Sequence, residues 1–249
     1  MSEPVLAGDL KPPEKPAEIP DVLPLLLLRE LVPFPMSIIP MRITRESEGK
    51  LIDEAVMGNK LVALLTKREG VEGEGLDAAY EVGCVGRILQ LQHVPDTTVN
   101  VVMQAIRRFR VEGLVKREPY MAVKISTIEE PVVDEKELGP LVQTVRNQMG
   151  RLIELSPNIP EGAAQVLENV SDSGFLADLI GANLGISIEE KQKLLETLDR
   201  KERLERLTYL LAREVEMLEL SNKIQSNAKS SIDQSQREYF LRQQLRAIK

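Results

Sequence analysis

The spacing of apolar residues changes once along this chain, and that change limits what it can fold into. Up to about Pro131 the clearest pattern has period two: Met121, Val123, Ile125 and Thr127 alternate with Ala122, Lys124 and Ser126, as in a half-buried strand. Beyond it the spacing becomes helical, with Leu138, Leu141, Val142, Val145, Met149, Leu152 and Ile153 on one stripe. Strands first and helices afterwards predict an α+β fold: a β-rich part over 21–131, a helical bundle over 132–198 and a long helix over 199–249.

Local signals fill in this outline. Tyr80–Leu91 and Val99–Met103 flank a turn around Pro95 and Asp96 and read as a hairpin. Leu51, Ile52, Ala55 and Val56 recur at helical spacing until Gly58-Asn59, so one helix interrupts the strands. Ser156-Pro157 ends the first bundle helix. Shorter helices follow around Glu161–Val170 and Asp172–Leu184, and Ser187 with Glu190, then Asp199 with Glu202, are spaced as capping boxes. From Arg200 to Lys249 neither Gly nor Pro occurs, so one helix of roughly 75 Å is possible at 1.5 Å per residue. Its apolar stripe, Leu204, Leu207, Leu211, Val215 and Leu218, gives way to a polar stretch from Asn222 to Ser235. The first half is therefore expected to dock and the second to project. Residues 1–20 contain five prolines and are expected to form a flexible tail.

Composition narrows the functions. Net charge is −7; residues 21–186 carry −7 of it and residues 187–249 carry +2, so a broad nucleic-acid surface on the body is disfavoured. Cys84 is the one cysteine and His93 the one histidine, which leaves no disulfide, no soft-ligand metal site and no obvious nucleophile–base pair. Cys84 reads as a small buried hydrophobe and His93 as a surface residue beside a turn. The glycines of 70–75 have the spacing of a phosphate loop, but no Lys or Ser/Thr follows, and Glu72 and Glu74 would repel phosphate. Arg107-Arg108-Phe109-Arg110 is a basic cluster with an aromatic, read mainly as solvated arginines flanking a strand and secondarily as a weak DNA contact. The apolar run Leu23–Leu28 is far too short to span a membrane.

Three segments carry a family resemblance. Leu23-Pro24-Leu25-Leu26-Leu27-Leu28-Arg29-Glu30-Leu31-Val32-Pro33-Phe34-Pro35-Met36 is one, and Tyr80-Glu81-Val82-Gly83-Cys84-Val85-Gly86-Arg87-Ile88-Leu89-Gln90 is another. The most specific is Gln236-Arg237-Glu238-Tyr239-Phe240-Leu241-Arg242-Gln243-Gln244-Leu245-Arg246-Ala247-Ile248. In this order they resemble the N-terminal region of Lon, the ATP-dependent serine protease family, over about residues 22–249. Glu30 stands where an Asp or Asn is common, and Thr97 where the hairpin usually carries Gly. The resemblance implies a PUA-like, Lon N-type β subdomain, then a bundle, serving substrate capture and homohexamer assembly in a cytoplasmic protease that degrades misfolded and short-lived regulatory proteins. It also implies ATP and magnesium in an ATPase domain, and a protease domain, that these residues do not include; no cofactor or catalytic residue is expected within them. A stand-alone adaptor of the same fold is the alternative reading, and an RNA-binding module a third.

Unfolded clients are recognised through exposed apolar groups. The candidate contacts are Phe34 and Met36, framed by Pro33 and Pro35, and Tyr120 and Met121 after Pro119. Tyr239, Phe240, Leu241, Leu245 and Ile248 are expected to form a docking stripe toward the ATPase part or another copy.

Overall fold

A computed structural model of the chain describes residues 19–73, 75–94, 98–156 and 162–248, with side chains through residue 228 except at 163. The tail over 1–18 and the turn centre at Pro95, Asp96 and Thr97 lie outside the described residues. The β part comprises β1 (Val22–Leu28), β2 (Ile38–Ile43), α1 (Glu46–Met57), β3 (Leu61–Thr66), β4 (Val82–Val94), β5 (Thr98–Lys116) and β6 (Ala122–Thr127). The sheet order is β2-β5-β4-β3-β1-β6, and β6 also pairs with β5, so five strands close into a barrel with β2 outside the ring. The long β5 makes this closure possible: Val99–Gln104 pair with β2, and Phe109–Lys116 pair with β6. β1 and β3 run side by side in parallel, which requires a long crossover, and β2 with α1 supplies it.

Alternation sorts the strand residues into two cores. Leu23, Leu25, Leu61, Ala63, Leu65, Val85, Phe109, Val123 and Ile125 fill the barrel. Residues of opposite parity, such as Leu26, Leu28, Val62, Leu64 and Cys84, face outward into a larger core shared with α1 and the bundle. β3 is consequently buried along its whole length. It lies against β4 so closely that a Cβ on Gly83 would stand 2.1 Å from the Leu64 carbonyl oxygen.

A bulge in β5 changes which of its side chains face the barrel. Ala105 pairs with Gly86 and Arg107 with Val85, so Ile106 is an extra residue between two consecutive partners. Parity flips there: Val99, Val101, Met103 and Ala105 pack in the outer core, whereas Phe109 and Val111 turn into the barrel. Arg108 thereby takes the outward, bundle-facing side.

The bundle comprises α2 (Glu135–Leu155), α3 (Gly162–Asn169), α4 (Ser173–Asn183), α5 (Ile188–Glu196) and α6 (Arg200–Ile248). Polar caps start several of its helices, and the caps at Ser187 and Asp199 are those the spacing predicts. Ser187 and Glu190 form a reciprocal capping box, Asp172 accepts from the Phe175 N–H, and Asp199 accepts from the Glu202 N–H. α6 runs 49 residues, roughly 73 Å at 1.5 Å per residue. Leu204, Leu207, Leu210 and Leu211 are buried against the bundle, whereas side chains 219–228 are exposed. Arg151 paired to Glu219, and Asn222 donating to the Leu155 carbonyl, fasten α6 at the end of α2 before it leaves. The predicted stripe of Tyr239, Phe240, Leu241, Leu245 and Ile248 lies on this helix, but outside the residues whose side chains are described.

Candidate functional site

β5, the segment after β6 and three bundle helices meet where Arg108 leaves the barrel. Its guanidinium forks onto Asp178 of α4, at 2.6 Å and 2.9 Å. It also donates to Glu130 Oε1 at 2.6 Å and, through Nε, to the Leu195 carbonyl at the end of α5 at 2.9 Å. Arg203 of α6 reaches the same Glu130 oxygen at 2.9 Å, and Arg200 reaches Glu130 Oε2 at 3.1 Å, Glu135 and Asp172. Arg108, Asp178 and Arg203 are buried, so each charge depends on the others for solvation.

The protonation states follow from this crowding. Burial pushes the Asp178 carboxyl up, against the opposing pull of Arg108 and Arg203. Burial also acts on Glu130, but Arg203, Arg108 and Arg200 outweigh it and hold Glu130 below the ordinary carboxylate value. Burial disfavours the charged form of Arg108, yet Asp178 and then Glu130 keep its guanidinium more firmly protonated than usual. The expectation of a solvated Arg108 is therefore corrected: it is 3% exposed and internally paired. Phe109 lies inside the barrel, so of the Arg107–Arg110 cluster only Arg107 and Arg110 face solvent.

Beside this network a cleft of about 420 Å³ opens, with Met36, Ile106, Ile128 and Phe175 as its apolar wall and Arg107, Glu129 and Arg200 around it. All four apolar side chains are half-buried. Met36 is held there by a turn in which the Ser37 N–H donates to the Phe34 carbonyl at 3.1 Å, and the Met36 N–H donates to the Ala105 carbonyl at 2.7 Å. Met36 has φ of 66°, the third turn position that normally takes Gly. Phe34 does not share its role. It is fully buried, and a Cβ on Gly181 of α4 would touch its ring at 3.3 Å, so the expectation that it presents a surface is corrected. The turn places Phe34 inward as an anchor and Met36 outward.

Tyr120 and Met121 are placed elsewhere, half-buried at a smaller cleft of about 150 Å³ that also takes in Leu27 and Arg117. Burial, then a hydrogen bond with Glu54, pushes the Tyr120 phenol up to about 12. Lys116 stands 4.6 Å from its ring centroid.

Cys84 is buried, and burial pushes its thiol up, away from the reactive thiolate. His93 is largely exposed and faces Asp53 at 3.4 Å. Among the described residues no group of His, Cys, Asp and Glu could hold a metal ion, and no helix is long and apolar enough to cross a membrane.

Residues 22–213 match the family model of the ATP-dependent protease La (Lon) substrate-binding domain. The chain belongs to the Lon protease family. Lon protease of Dictyoglomus thermophilum is 41% identical over 231 residues, 93% of this chain and 29% of that protein. Lon protease 2 of Myxococcus xanthus is 39% identical over 234 residues, 93% of this chain and 28% of that protein. The chain thus spans under a third of the length of these curated relatives. Among solved structures, the N-terminal domain of a Mycobacterium avium complex Lon protease shares the fold with a TM-score of 0.64 at 19% identity, over 77% of this chain and 98% of that one. The Lon N-terminal domain protein of Xanthomonas campestris does so with a TM-score of 0.55 at 21% identity, over 75% and 96%. The α+β reading and the Lon resemblance therefore hold. The buried Arg108 network had no signal in the sequence beyond its position in a basic cluster.

Proposed function

We propose that this chain is the substrate-capturing and hexamer-assembling region of a cytoplasmic, ATP-dependent Lon serine protease, whose ATP, magnesium and peptide-cleaving residues lie outside it. Unfolded or misfolded polypeptide docks an apolar segment against Met36 and Phe175 in the junction cleft. The observation that carries this reading is Met36 at φ 66°. A side chain in the left-handed region costs about 1–2 kcal/mol that Gly would not incur, and the cost is spent here on keeping a flexible thioether at the cleft. The projecting, polar part of α6 supports a role in linking this region to the ring of subunits, away from the client cleft.

Met36→Gly separates the folding role from the binding role. It should lose no stability in urea unfolding, because Gly suits the turn, while weakening binding of a fluorescently labelled, permanently unfolded casein by about fivefold or more. Unchanged casein affinity in Met36→Gly and in Phe175→Ser removes the junction cleft as the capture site.

A further inference from the structure

The smaller cleft has a chemistry of its own. Four cationic side chains line it, each from a different segment: Arg29 just after β1, Arg45 at the start of α1, Lys67 just after β3 and Arg117 just after β5. One carboxylate, Glu48, accompanies them and lies 3.8 Å from Arg45. The rest of the wall is apolar, from Leu25, Leu27, Leu51 and Met121, with the Tyr120 ring beside them. This concentration of cations is unexpected in a chain of net charge −7.

We infer that this cleft binds a peptide carboxylate together with the apolar side chain next to it. Size and surroundings favour that ligand over a polyanion. About 150 Å³ holds the end residue of a peptide, not a stretch of phosphate backbone. Glu30, Glu46, Glu69 and Glu118 stand next to or near the lining cations in sequence, are exposed, and do not line the cleft. A nucleic acid running outward would meet these carboxylates, whereas a single carboxylate inside would not. Arg supplies paired donors that match a carboxylate, and the apolar wall takes the neighbouring side chain. The inference rests on the reading of this region as a client-binding domain and adds a second, charged subsite to it.

The test uses the whole chain and fluorescein-labelled ten-residue peptides of one sequence ending in Leu, with a free or an amidated C-terminus, plus an amidated peptide with Glu placed internally. The free-acid peptide should bind about tenfold tighter than its amide, more weakly as salt rises, and Arg117→Glu with Lys67→Glu should abolish that difference without changing the thermal melt. If the internal Glu restores binding to the amide, the carboxylate comes from acidic side chains as well as chain ends; if it does not, from chain ends alone. Both outcomes keep the subsite. Equal affinity of all three peptides, or a preference that survives the charge reversal, overturns it. Casein binding in Met36→Gly reports on the junction cleft separately, so the two sites can fail independently.

Discussion

The barrel interior and the centre of the barrel–bundle junction are both buried, yet they are held in opposite ways. Inside the barrel, Leu65, Val85, Phe109 and Ile125 pack among apolar side chains, and burial itself supplies the stabilisation. At the junction, Arg108, Asp178 and Arg203 are equally buried but are charged, and desolvation offsets much of their attraction. An apolar core tolerates exchange of similar shapes; an ionic one tolerates loss of both partners far better than loss of one. The junction therefore fixes how barrel and bundle sit together more than it adds to stability, and the cleft beside Met36 and Phe175 is built on that fixed relation.

The largest effect should come from the barrel side. Gly83→Val places carbon where the Leu64 carbonyl stands, with backbone rather than a flexible tip in the way. A loss of about 5 kcal/mol or more is expected, read as absence of a folded baseline in urea unfolding. A well-folded Gly83→Val would mean that β3 and β4 can separate, and that the barrel is the softer of the two regions.

The junction responds next. Arg108→Met strands Asp178 and should cost about 3–5 kcal/mol, whereas the double variant Arg108→Met, Asp178→Leu should recover most of that loss. A double-mutant cycle in urea measures the recovery. Additive losses would show that the pair is worth its full attraction and that the contrast with the barrel is false.

These two predictions draw on unequal amounts of sequence information. Barrel residues were legible because alternation states which side of a strand is buried, and in β6 Val123 and Ile125 are buried on either side of exposed Lys124, although Ala122 is buried and Thr127 exposed. The helices were legible from their stripes and from Ser187 and Asp199 as caps. Arg108 was not, because the bulge at Ile106 turns it toward the bundle, and its partners Asp178 and the Leu195 carbonyl lie 70 and 87 positions away. Phe34 and Met36 had one signal between them, two flanking prolines, which mark a turn without saying which side chain points inward. The four cations of the smaller cleft stand on separate segments, and no spacing connects them.

Acid should separate the regions without mutation. Arg213 holds Glu190 down to about 2, and the arginines around it hold Glu130 below its ordinary value of 4.5. For a carboxylate lowered in the fold, the stabilisation is complete above the unfolded value and lost as pH falls through the folded one. Melting temperature should therefore decline as pH drops from about 4.5 toward about 2, and Glu190→Gln should flatten the decline. Asp178, pushed up by burial, acts in the opposite sense and blunts the fall. Among the described residues, the cluster that fills the barrel holds no titrating side chain to contribute. A melting temperature that is level across this range would place the stability outside the ionic network.

The smallest effect tests how far the junction extends. α5 has nine residues, too few to persist alone in water, and it begins at the Ser187–Glu190 box. It reaches the barrel twice: Gln192 donates to the Val82 carbonyl at 2.9 Å, and the Leu195 carbonyl accepts from Arg108. Ser187→Ala removes the acceptor for the Glu190 N–H and should cost about 1 kcal/mol, with faster hydrogen exchange over 188–196. If α5 is part of the junction, the cost should shrink by more than about 0.5 kcal/mol in an Arg108→Met background, where the Leu195 carbonyl has already lost its donor. Costs that add would mean that the cap acts on α5 alone. The ordered end of that helix would then follow from the barrel holding Gln192, rather than from the charged network.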